Sequence, residues 1–333
     1  MGKQKRVPTA DMSRQEWLRA RKNGIGGSDI GAILGMNPYR SAYAVWAEKL
    51  GIIPEVADNE AMRQGRDLEE YVARRFEEVS GAKVRRVNAI ISNSDYPHIA
   101  CNIDRSIVGW NAGLECKTAS ALNEKRFTVG SFPEHYYAQC VTYMAVTEYR
   151  RWYLAVLVLG RDFKVYQLTR IPDDETPEWC ESSVYVPDAE FESIREMAIQ
   201  FWQYVETKTP PPVDGSKSTS DTLAAIYPKS VQDISADLSG FDSALATYKR
   251  LKAQEKEIDD ALTETENQIK EFMADAESGV WDGGKISFRS QVRTTFDSKR
   301  FFADNPQLDI SKYIKTSTTR PFKVTFAKES RIT

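Results

Sequence analysis

The sequence predicts an α/β protein with a C-terminal helical arm and a small β-rich tail. Its 333 residues, 41% of them hydrophobic, are enough to build a substantial core. Over residues 1–206, segments of helical periodicity are interspersed with short runs of β-branched and apolar residues. Beyond a Pro-, Ser- and Thr-rich stretch, the pattern changes to one long charged helix and then to β-type residues. We therefore expect a globular core followed by an extension of different character.

The composition indicates in which cellular compartment the protein works. No stretch approaches 18 consecutive apolar residues, and the basic segment Met1 to Ala10 lacks the apolar run of a secretory signal. The four cysteines (Cys101, Cys116, Cys140 and Cys180) are far apart, without the paired spacing of zinc or thiol-disulfide sites. We expect a cytoplasmic protein with reduced cysteines and no membrane association.

The net charge of −3 is unevenly distributed along the chain. Residues 1–50 carry nine Lys and Arg against four Asp and Glu, and residues 285–333 carry eleven against four. The two ends are therefore basic and the middle is acidic. Because phosphate binding depends on local positive charge, this distribution is compatible with DNA contact, although many soluble proteins have an acidic middle as well.

A glycine-rich turn follows the first predicted helix. Ser13 and Glu16 have capping-box spacing at the start of a helix that extends to Lys22. The turn Gly24 to Asp29 then enters a second helix, whose exposed amides are able to hold an anion. The alternative is a plain helix-to-helix joint with Ser28 as the N-cap. Since no strand precedes this turn, it is not a dinucleotide-binding fingerprint.

Further helices are predicted at 42–51 and 59–79. The second has an apolar side, formed by Met62, Leu68, Val72 and Phe76, and a polar edge that carries Glu69. A strand at 83–91 is expected to lead into a hairpin, with Ala100 in the same sheet as that hairpin.

The hairpin is predicted from two short runs that flank turn-forming residues. Cys101 to Val108 and Leu114 to Thr118 are separated by Gly109, Asn111 and Gly113. Alternation in the second run directs Leu114 and Cys116 to the core and places Glu115 and Lys117 on the opposite face.

Two carboxylates in this hairpin are candidates for a metal site. Asp104 lies about as far before the turn as Glu115 lies after it, so the two can be neighbours across the ladder. Paired carboxylates repel unless a cation lies between them, and hard oxygen ligands favour Mg²⁺ or Mn²⁺. Lys117 is then placed to orient water or to offset charge that develops on a phosphate. The alternative is an exposed hairpin face with a Glu115–Lys117 salt bridge.

The remaining core elements are a helix at 132–147, strands at 151–159 and 163–168, and a helix at 188–206. Gln139 and Tyr143 lie one turn apart on the first of these helices and share a face. A core tyrosine beside an exposed glutamine is the alternative interpretation.

Four domains are predicted: a core at 1–206, a linker at 207–235, a long coiled-coil-like helix at 236–277 and a basic β-rich tail at 278–333. The helix is predicted from apolar residues at heptad-like positions, which is typical of a helix that packs in a pair or against another subunit. They are Phe241, Ala244, Tyr248, Leu251, Ile258, Leu262, Ile269 and Phe272. The tail is suited to contact with DNA or with a protein partner.

Several sequence blocks together resemble the YqaJ-type viral recombinases, relatives of phage lambda exonuclease (alkaline exonuclease). The blocks occur in the family's order over roughly residues 10–205: GIGGSDIGAILGMNPYRSAYAVWAEKLG from Gly24, QGRDLEE from Gln64, NIDRSIVG with LECKTAS, and YYAQCVTYM from Tyr136. The resemblance implies a restriction-endonuclease-like core with a central mixed sheet. It also implies a magnesium-dependent 5′-to-3′ exonuclease that acts on double-stranded DNA ends in recombination and leaves 3′ single strands.

The resemblance also implies roles for individual residues. Asp104, Glu115 and the main-chain carbonyl of Cys116 would bind the metal, and Lys117 would position the attacking water. Glu69, Gln139 and Tyr143 would support them. Arg21, Ser28 and Arg40 would form a pocket for the 5′-terminal phosphate; otherwise Arg21 caps the first helix and Arg40 lies on the surface.

The resemblance further implies three kinds of partner: DNA ends, a single-strand annealing protein and two further copies of the chain in a ring around DNA. The expected setting is the cytoplasm of a bacterium that carries the phage or prophage. Two alternatives stay open: an endonuclease of the same fold, and a DNA-binding or assembly protein without catalysis.

Overall fold

The computed structural model describes residues 2–54, 59–317 and 319–326. Two compact units are present: the first ends at Pro228 and the second begins at Lys229. In the described part of the chain, no helix is long and apolar enough to cross a membrane.

The first unit combines nine strands with seven α-helices in its described residues. The strands are β1 (Gln4–Pro8), β2 (Val84–Arg86), β3 (Ala89–Asn93), β4 (Tyr96–Asn102), β5 (Arg105–Ile107), β6 (Ala112–Ala119), β7 (Arg151–Val158), β8 (Asp162–Thr169) and β9 (Ser182–Tyr185). The helices are α1 (Arg14–Lys22), α2 (Gly27–Ile33), α3 (Ala42–Lys49), α4 (Glu60–Ser80), α5 (Glu134–Thr147), α6 (Asp188–Glu206) and α7 (Lys217–Ile226).

A six-stranded mixed sheet forms the centre of this unit, in the order β2-β5-β6-β7-β8-β9. β5 and β6 pair antiparallel, and α5 then carries the chain over to β7, which pairs parallel with β6. β8 returns antiparallel to β7, and β9 pairs parallel with β8. The predicted α/β class with a central mixed sheet and flanking helices is confirmed.

Both faces of the sheet are buried because its strands alternate between two apolar clusters. On one face, Val72 and Phe76 of α4 pack with Leu114 and Tyr153. On the other face, Trp152 and Leu154 pack with residues of α2, α5 and α6. The predicted alternation of β6 is confirmed, but the face opposite Leu114 and Cys116 is covered by α5 rather than open to solvent.

Local signals predicted the helix starts well. The capping box of α1 is present: the Ser13 N–H donates to Glu16 Oε2 at 2.8 Å, and the Glu16 N–H donates to Ser13 Oγ at 3.3 Å. α4 begins after Asn59, whose side chain accepts from the Met62 N–H, and ends at Gly81 with a φ of 69°. Met62 itself is 45% exposed, so its assignment to the buried side of α4 is wrong. It lies in the first turn of the helix, before α4 reaches the sheet.

The predicted strand at 83–91 is two strands in two sheets. β2 pairs with β5 in the central sheet, whereas β3 lies between β1 and β4 in a separate three-stranded sheet. Ala100 belongs to β4, so the expectation that it shares the hairpin's sheet is wrong. The hairpin is correspondingly short, with Arg105 opposite Leu114 and Ser106 opposite Gly113. Buried Ile99, Cys101 and Ile103 anchor the preceding segment in the other cluster, and this separates it from β5.

Part of the predicted linker is structured. Within it, α7 is capped by Ser216 and packs against α3, and the Ser41 N–H donates to Ser218 Oγ at 3.0 Å. The second unit contains the long helix α8 (Asp242–Met273), the hairpin β10 (Ser278–Trp281) and β11 (Gly284–Ser287), and α9 (Ser298–Asp304). The described residues between 314 and 326 form no strand, and residues 318 and 327–333 of the predicted tail lie outside the described residues.

Candidate active site

Asp104 and Glu115 lie together at the base of the β5–β6 hairpin. Arg105 pairs with Leu114, so the position just before β5 lies across from Glu115 on β6. The Cys116 main-chain N–H donates to Asp104 Oδ2 at 2.8 Å, which holds the first carboxylate against the strand that carries the second. Glu115 is only 2% exposed. Glu115 is therefore removed from solvent, and the half-buried Asp104 is held beside it.

Lys117 and two residues of α5 surround the Glu115 carboxylate. Lys117 Nζ lies 2.5 Å from Glu115 Oε1, and Gln139 Nε2 donates to the same oxygen at 2.8 Å. Gln139 Nε2 also lies 2.7 Å from Tyr143 Oη, which accepts from it. Both α5 side chains are buried, so Gln139 is not the exposed glutamine of the alternative interpretation. The Glu115–Lys117 salt bridge exists, but it is buried at this site rather than lying on an open hairpin face.

The site has an excess of negative charge that fits a bound cation. Burial, and then the neighbouring Glu115 carboxylate, raise the pKa of Asp104 well above its ordinary value, while Lys117 acts in the opposite direction. The second oxygen of Glu115, Oε2, is buried and has no hydrogen-bond partner in the described part of the chain. A divalent metal would neutralise this charge and provide a partner for that oxygen.

The available ligands are few. Among the described residues, no group of three His, Cys, Asp or Glu side chains is arranged to hold a metal ion. Two carboxylates with one main-chain carbonyl leave further positions for water and substrate, which suits Mg²⁺ because it retains several waters. A closed structural zinc site would need four protein ligands.

Lys117 has the charge that its predicted role requires. Burial disfavours its ammonium group, but the Glu115 and Asp104 carboxylates together raise the pKa of Lys117 above its ordinary value. The side chain therefore stays protonated at neutral pH. Its Nζ also lies 5.2 Å from the centre of the Tyr136 ring.

Glu69 reaches the edge of the site from α4 but is held by Arg105. Its carboxylate is close enough to contribute to the raised pKa of Asp104. Arg105 Nη1 lies 2.5 Å from Glu69 Oε1, and Arg105 Nη2 lies 2.9 Å from Glu70 Oε2. The Arg105 guanidinium also donates to the main-chain carbonyl of Asp104 at 2.9 Å. Sequence reasoning missed Arg105; the signal was a charged residue within an apolar β-type run.

Arg21, Ser28 and Arg40 line one open pocket of about 410 Å³, together with Lys22 and Lys49. Ser28 is exposed and lies inside α2, whose N-cap is Gly26, so Ser28 is not the N-cap itself. The Gly26 N–H donates to Asp29 Oδ2 at 2.9 Å and is therefore already engaged. The Arg21 guanidinium lies 4.8 Å from the centre of the Trp17 ring.

Asp29 organises the cations of this pocket from a fully buried position. Its carboxylate pairs with Arg40 Nη1 at 2.6 Å and with Lys49 Nζ at 2.7 Å. Burial opposes its charge, but Arg40, Lys49 and Arg21 hold the pKa of Asp29 far below its ordinary value. Arg40 also pairs with Glu48, so it is not the free surface residue of the alternative interpretation. Sequence reasoning missed Asp29, because its partners come from α3 and the loop before it.

Fold and site together define an α/β protein in which a buried glutamate and a lysine on one strand of a mixed sheet meet a half-buried aspartate from the neighbouring segment. Comparison with known proteins identifies the family. Residues 16–150 match the YqaJ-like viral recombinase domain. Over 314 residues, 93% of either chain, the sequence is 35% identical to the protein YqaJ of Bacillus subtilis (strain 168). The chain belongs to this YqaJ-like viral recombinase family, as its motifs indicated.

Solved structures with related folds were also found. The alkaline exonuclease LHK-Exo from Laribacter hongkongensis is 18% identical with a TM-score of 0.44, over 58% of this chain and 93% of that one. Its complex with dAMP gives 19% identity and a TM-score of 0.45 over the same shares. A phage-related exonuclease from Haemophilus somnus 129PT is 10% identical with a TM-score of 0.37, over 56% of this chain and 96% of that one.

Proposed function

We propose that this protein is a metal-dependent exonuclease that degrades the 5′-ended strand of duplex DNA and leaves a 3′ single strand. One observation carries the proposal: the buried Glu115 carboxylate and the half-buried Asp104 carboxylate lie beside a charged lysine, and Glu115 Oε2 has no hydrogen-bond partner in the described part of the chain. Membership of a viral recombinase family supports DNA as the substrate. The proposed setting is phage-type recombination in the bacterial cytoplasm.

Asp104, Glu115 and the main-chain carbonyl of Cys116 would hold the metal, with Mg²⁺ favoured and Mn²⁺ compatible. The chemistry that such a cation supplies is polarisation of the scissile phosphoryl group and a lowered pKa of water. Lys117 would orient the attacking water and offset the charge that develops on the phosphate. Gln139 would orient Glu115 through its hydrogen bond and would itself be oriented by Tyr143. Glu69 of α4 would lie beside the metal site, held in position by its ion pair with Arg105.

The strand preference and the mode of cleavage are tested with one set of substrates. Purified full-length protein is incubated in Mg²⁺ with linear duplex labelled at the 5′ or the 3′ end, and with closed circular plasmid. The proposal expects early release of the 5′ label, later loss of the 3′ label and an intact circle. Nicking or linearisation of the circle would favour the endonuclease alternative. Binding of duplex without any digestion would favour a DNA-binding protein.

We further propose that the pocket lined by Arg21, Ser28 and Arg40 binds the 5′-terminal phosphate. Support comes from the cations that share this pocket and from the buried Asp29, which holds Arg40 and Lys49 in place. Arg21 and the Ser28 hydroxyl would contact the phosphate, since guanidinium groups bind phosphate through paired hydrogen bonds. Arg40, already paired with Asp29 and Glu48, would contribute mainly charge.

A comparison of 5′-phosphorylated with 5′-hydroxyl duplex tests the phosphate pocket. Wild-type protein should digest the 5′-phosphorylated duplex faster than the 5′-hydroxyl duplex. Arg21→Ala should reduce this difference in rate, because it slows digestion of the phosphorylated duplex. Arg161→Ala, at an exposed turn between β7 and β8, is the matched control and should behave as wild type. If wild-type protein digests both duplexes at equal rates at limiting DNA, this pocket does not bind the 5′-terminal phosphate. The proposed metal site would be unaffected by that result.

Two assembly proposals rest on the family resemblance: a homo-oligomer, with three subunits expected, and a single-strand annealing protein as partner. The long helix α8 supports an interaction role because Leu251, Ile258 and Leu262 are more than half exposed along it. Light scattering of the pure protein tests the trimer, and a monomeric mass across the working concentration range would contradict it.

A further inference from the structure

An apolar stripe runs along one side of the long helix α8. Positions spaced alternately by three and four residues from Phe241 to Phe272 lie on that side, and all but two of them are apolar. Nearer to Phe241, the ring of Phe322 contacts Tyr248 edge-on. Further along, five apolar members of this series are exposed, and we call them the α8 stripe: Leu251 (52%), Ile258 (66%), Leu262 (57%), Ile269 (38%) and Phe272 (92%). Such a stripe is typical of a helix that another helix covers.

The two halves of α8 differ in charge, and this difference selects the partner helix. Residues 242–256 carry four Lys and Arg against two Asp and Glu, whereas residues 257–273 carry one against six. Two copies of α8 that ran in the same direction would place one acidic half beside the other. In the opposite direction, each basic half lies beside an acidic half, so the two copies attract each other at both ends. Charge complementarity therefore favours a second copy of this chain, in antiparallel orientation.

The heptad series also matches itself in the antiparallel orientation. When Leu251 of one helix lies opposite Leu262 of the other, each position of the series lies opposite another member of the series. This alignment places Glu255, one of the two polar members, opposite Ile258. In a parallel pair in register, Glu255 would lie opposite its own copy, and the two carboxylates would repel each other. The polar position therefore favours the antiparallel pair as well.

The positions that flank the contact carry opposite charges in this alignment. They bring Lys252 of one helix beside Asp259 of the other, and this contact occurs twice because the pair is symmetric. Within one helix, Lys252 pairs with Glu255, and both side chains are more than half exposed. Lys252 can therefore offset Glu255 on its own helix and Asp259 on the other. In a parallel pair Lys252 would flank Thr247, which carries no charge.

We propose that α8 is a two-fold pairing surface, through which two copies of the chain form an antiparallel coiled coil centred between Glu255 and Ile258. This inference goes beyond the proposed nuclease function and beyond the expected three-subunit ring. Subunits in such a ring are related by a three-fold axis, whereas an antiparallel pair has a two-fold axis of its own. Pairing through α8 would therefore join subunits of different rings.

Disulfide cross-linking of full-length protein tests the pair and its direction. Leu251→Cys and Leu262→Cys are prepared separately and also co-expressed, and each sample is oxidised mildly without DNA. In the antiparallel alignment the two substituted positions lie opposite each other, so the co-expressed variants should form a covalent dimer on non-reducing electrophoresis. Either variant alone should not, because its like positions are about 16 Å apart along the helix, beyond the reach of a disulfide.

A matched control uses the opposite side of the same helix. Ala253 and Asp260 are both exposed, and they lie at the same level of the pair in this alignment but face away from the contact. Co-expressed Ala253→Cys and Asp260→Cys should therefore give no more covalent dimer than wild type does. The four natural cysteines lie outside α8, so wild type measures the background.

Light scattering of the full-length protein is the second measurement. Leu251→Asp combined with Ile258→Asp should lower the mass by a factor of two, whatever number of subunits associates through the first unit. Both side chains are exposed, so the substitutions carry little risk to folding. Lys252→Glu should weaken pairing about tenfold in a dilution series, because it places like charges together twice. Arg250→Glu makes the same change in charge away from the contact and should weaken pairing much less.

The outcomes separate this inference from the proposed function, since pairing is measured without DNA or metal. Loss of digestion would therefore leave it untouched. The antiparallel pair is overturned if the co-expressed variants give no covalent dimer, or if Leu251→Cys alone cross-links as readily as the co-expressed pair. A mass that does not change in Leu251→Asp combined with Ile258→Asp would overturn it too, and would leave the α8 stripe to a different protein.

Discussion

Lys117 is the residue whose chemistry the structure restricts most closely. Its ammonium group is paired with Glu115 Oε1 and kept charged by two carboxylates. Lys117→Ala should therefore reduce the rate of the cleavage step by about a hundredfold or more, the loss typical of one group that stabilises a transition state. Lys117→Arg should not restore the rate, because a planar guanidinium differs in shape from a compact ammonium.

Single-turnover cleavage with saturating DNA and Mg²⁺ measures this effect, and calorimetric titration of Mg²⁺ is the companion measurement. We expect metal affinity to change little, since Lys117 does not bind the metal in this account. A variant that has lost Mg²⁺ binding would show instead that the whole site had collapsed, and the role of Lys117 would have to be abandoned.

Asp104 should make the stability of the metal-free protein depend on pH. Its pKa is raised in the folded protein by burial and by Glu115, so the folded state binds this proton more tightly than the unfolded chain does. This contribution to stability is fully present below the unfolded pKa and is lost as pH rises through the folded pKa. Asp104→Asn, which stays neutral, should remove this part of the pH dependence.

Thermal unfolding between about pH 4 and pH 9 without divalent metal tests this expectation. As pH rises, the unfolding temperature of the wild-type protein should fall relative to that of Asp104→Asn. Added Mg²⁺ should raise the wild-type unfolding temperature again, most strongly at the upper end of the pH range. Parallel curves for the two proteins would contradict the raised pKa.

Side-chain neighbours at the proposed metal site were predictable where they depend on local patterns. Strand alternation placed Glu115 and Lys117 on one face, and helical spacing placed Gln139 beside Tyr143. Arg105 and Asp29 were not predictable in the same way. The position of each side chain is set by ion pairs with another element. Arg105 pairs with α4, and Asp29 pairs with α3 and with the loop that precedes it. No local sequence pattern specifies such pairs.

At the scale of elements, glycines allow α2 to approach α5 closely. A Cβ atom at Gly27 would lie 2.4 Å from Cε1 of Tyr143, and one at Gly31 would lie 2.7 Å from Cβ of His135. The sequence allows two interpretations of the glycine-rich motif, an anion-binding turn and a plain helix-to-helix joint. In the structure, its glycines allow the helix to pack against the tyrosine that orients Gln139.

Gly27→Ala should therefore destabilise the fold by about 1–3 kcal/mol through overpacking. It should also disturb the Gln139–Glu115 hydrogen bond by displacing Tyr143. Gly65→Ala in α4 is the matched control, because its nearest neighbour would be Thr118 Oγ1 at 3.7 Å, an ordinary contact. That variant should be neutral or more stable, since alanine favours a helix. Denaturant unfolding measures both, and equal stability of the two variants would refute the close-packing role of Gly27.

Elements were predicted less well where tertiary packing decided their ends. Residues 83–91 have a continuous β-type pattern, yet the chain changes sheets between β2 and β3. Likewise, α7 lies in a segment whose composition predicted a linker, and it is ordered by packing against α3. Composition and alternation describe a segment's own preferences, whereas these outcomes depend on the segment's neighbours.

At the scale of the whole molecule, every proposed site residue lies before Pro228, in the first unit. That unit has its own buried core on both faces of the central sheet. A fragment of residues 1–228 should therefore unfold cooperatively and should retain Mg²⁺-dependent digestion of linear duplex. Full-length protein is the reference. A fragment that folds but does not digest would mean that residues after Pro228 are required, for example in assembly around DNA.

In the proposed mechanism, Asp104 and Glu115 bind a catalytic metal. The most direct test is single-turnover digestion of linear duplex in Mg²⁺ by Asp104→Asn and Glu115→Gln, with duplex affinity measured in Ca²⁺ for the same proteins. Asp162→Asn, at a half-exposed carboxylate on β8, is the control. We predict that both site variants bind duplex as wild type does but lose digestion, while the control keeps it. Near-normal digestion by either site variant would contradict the account.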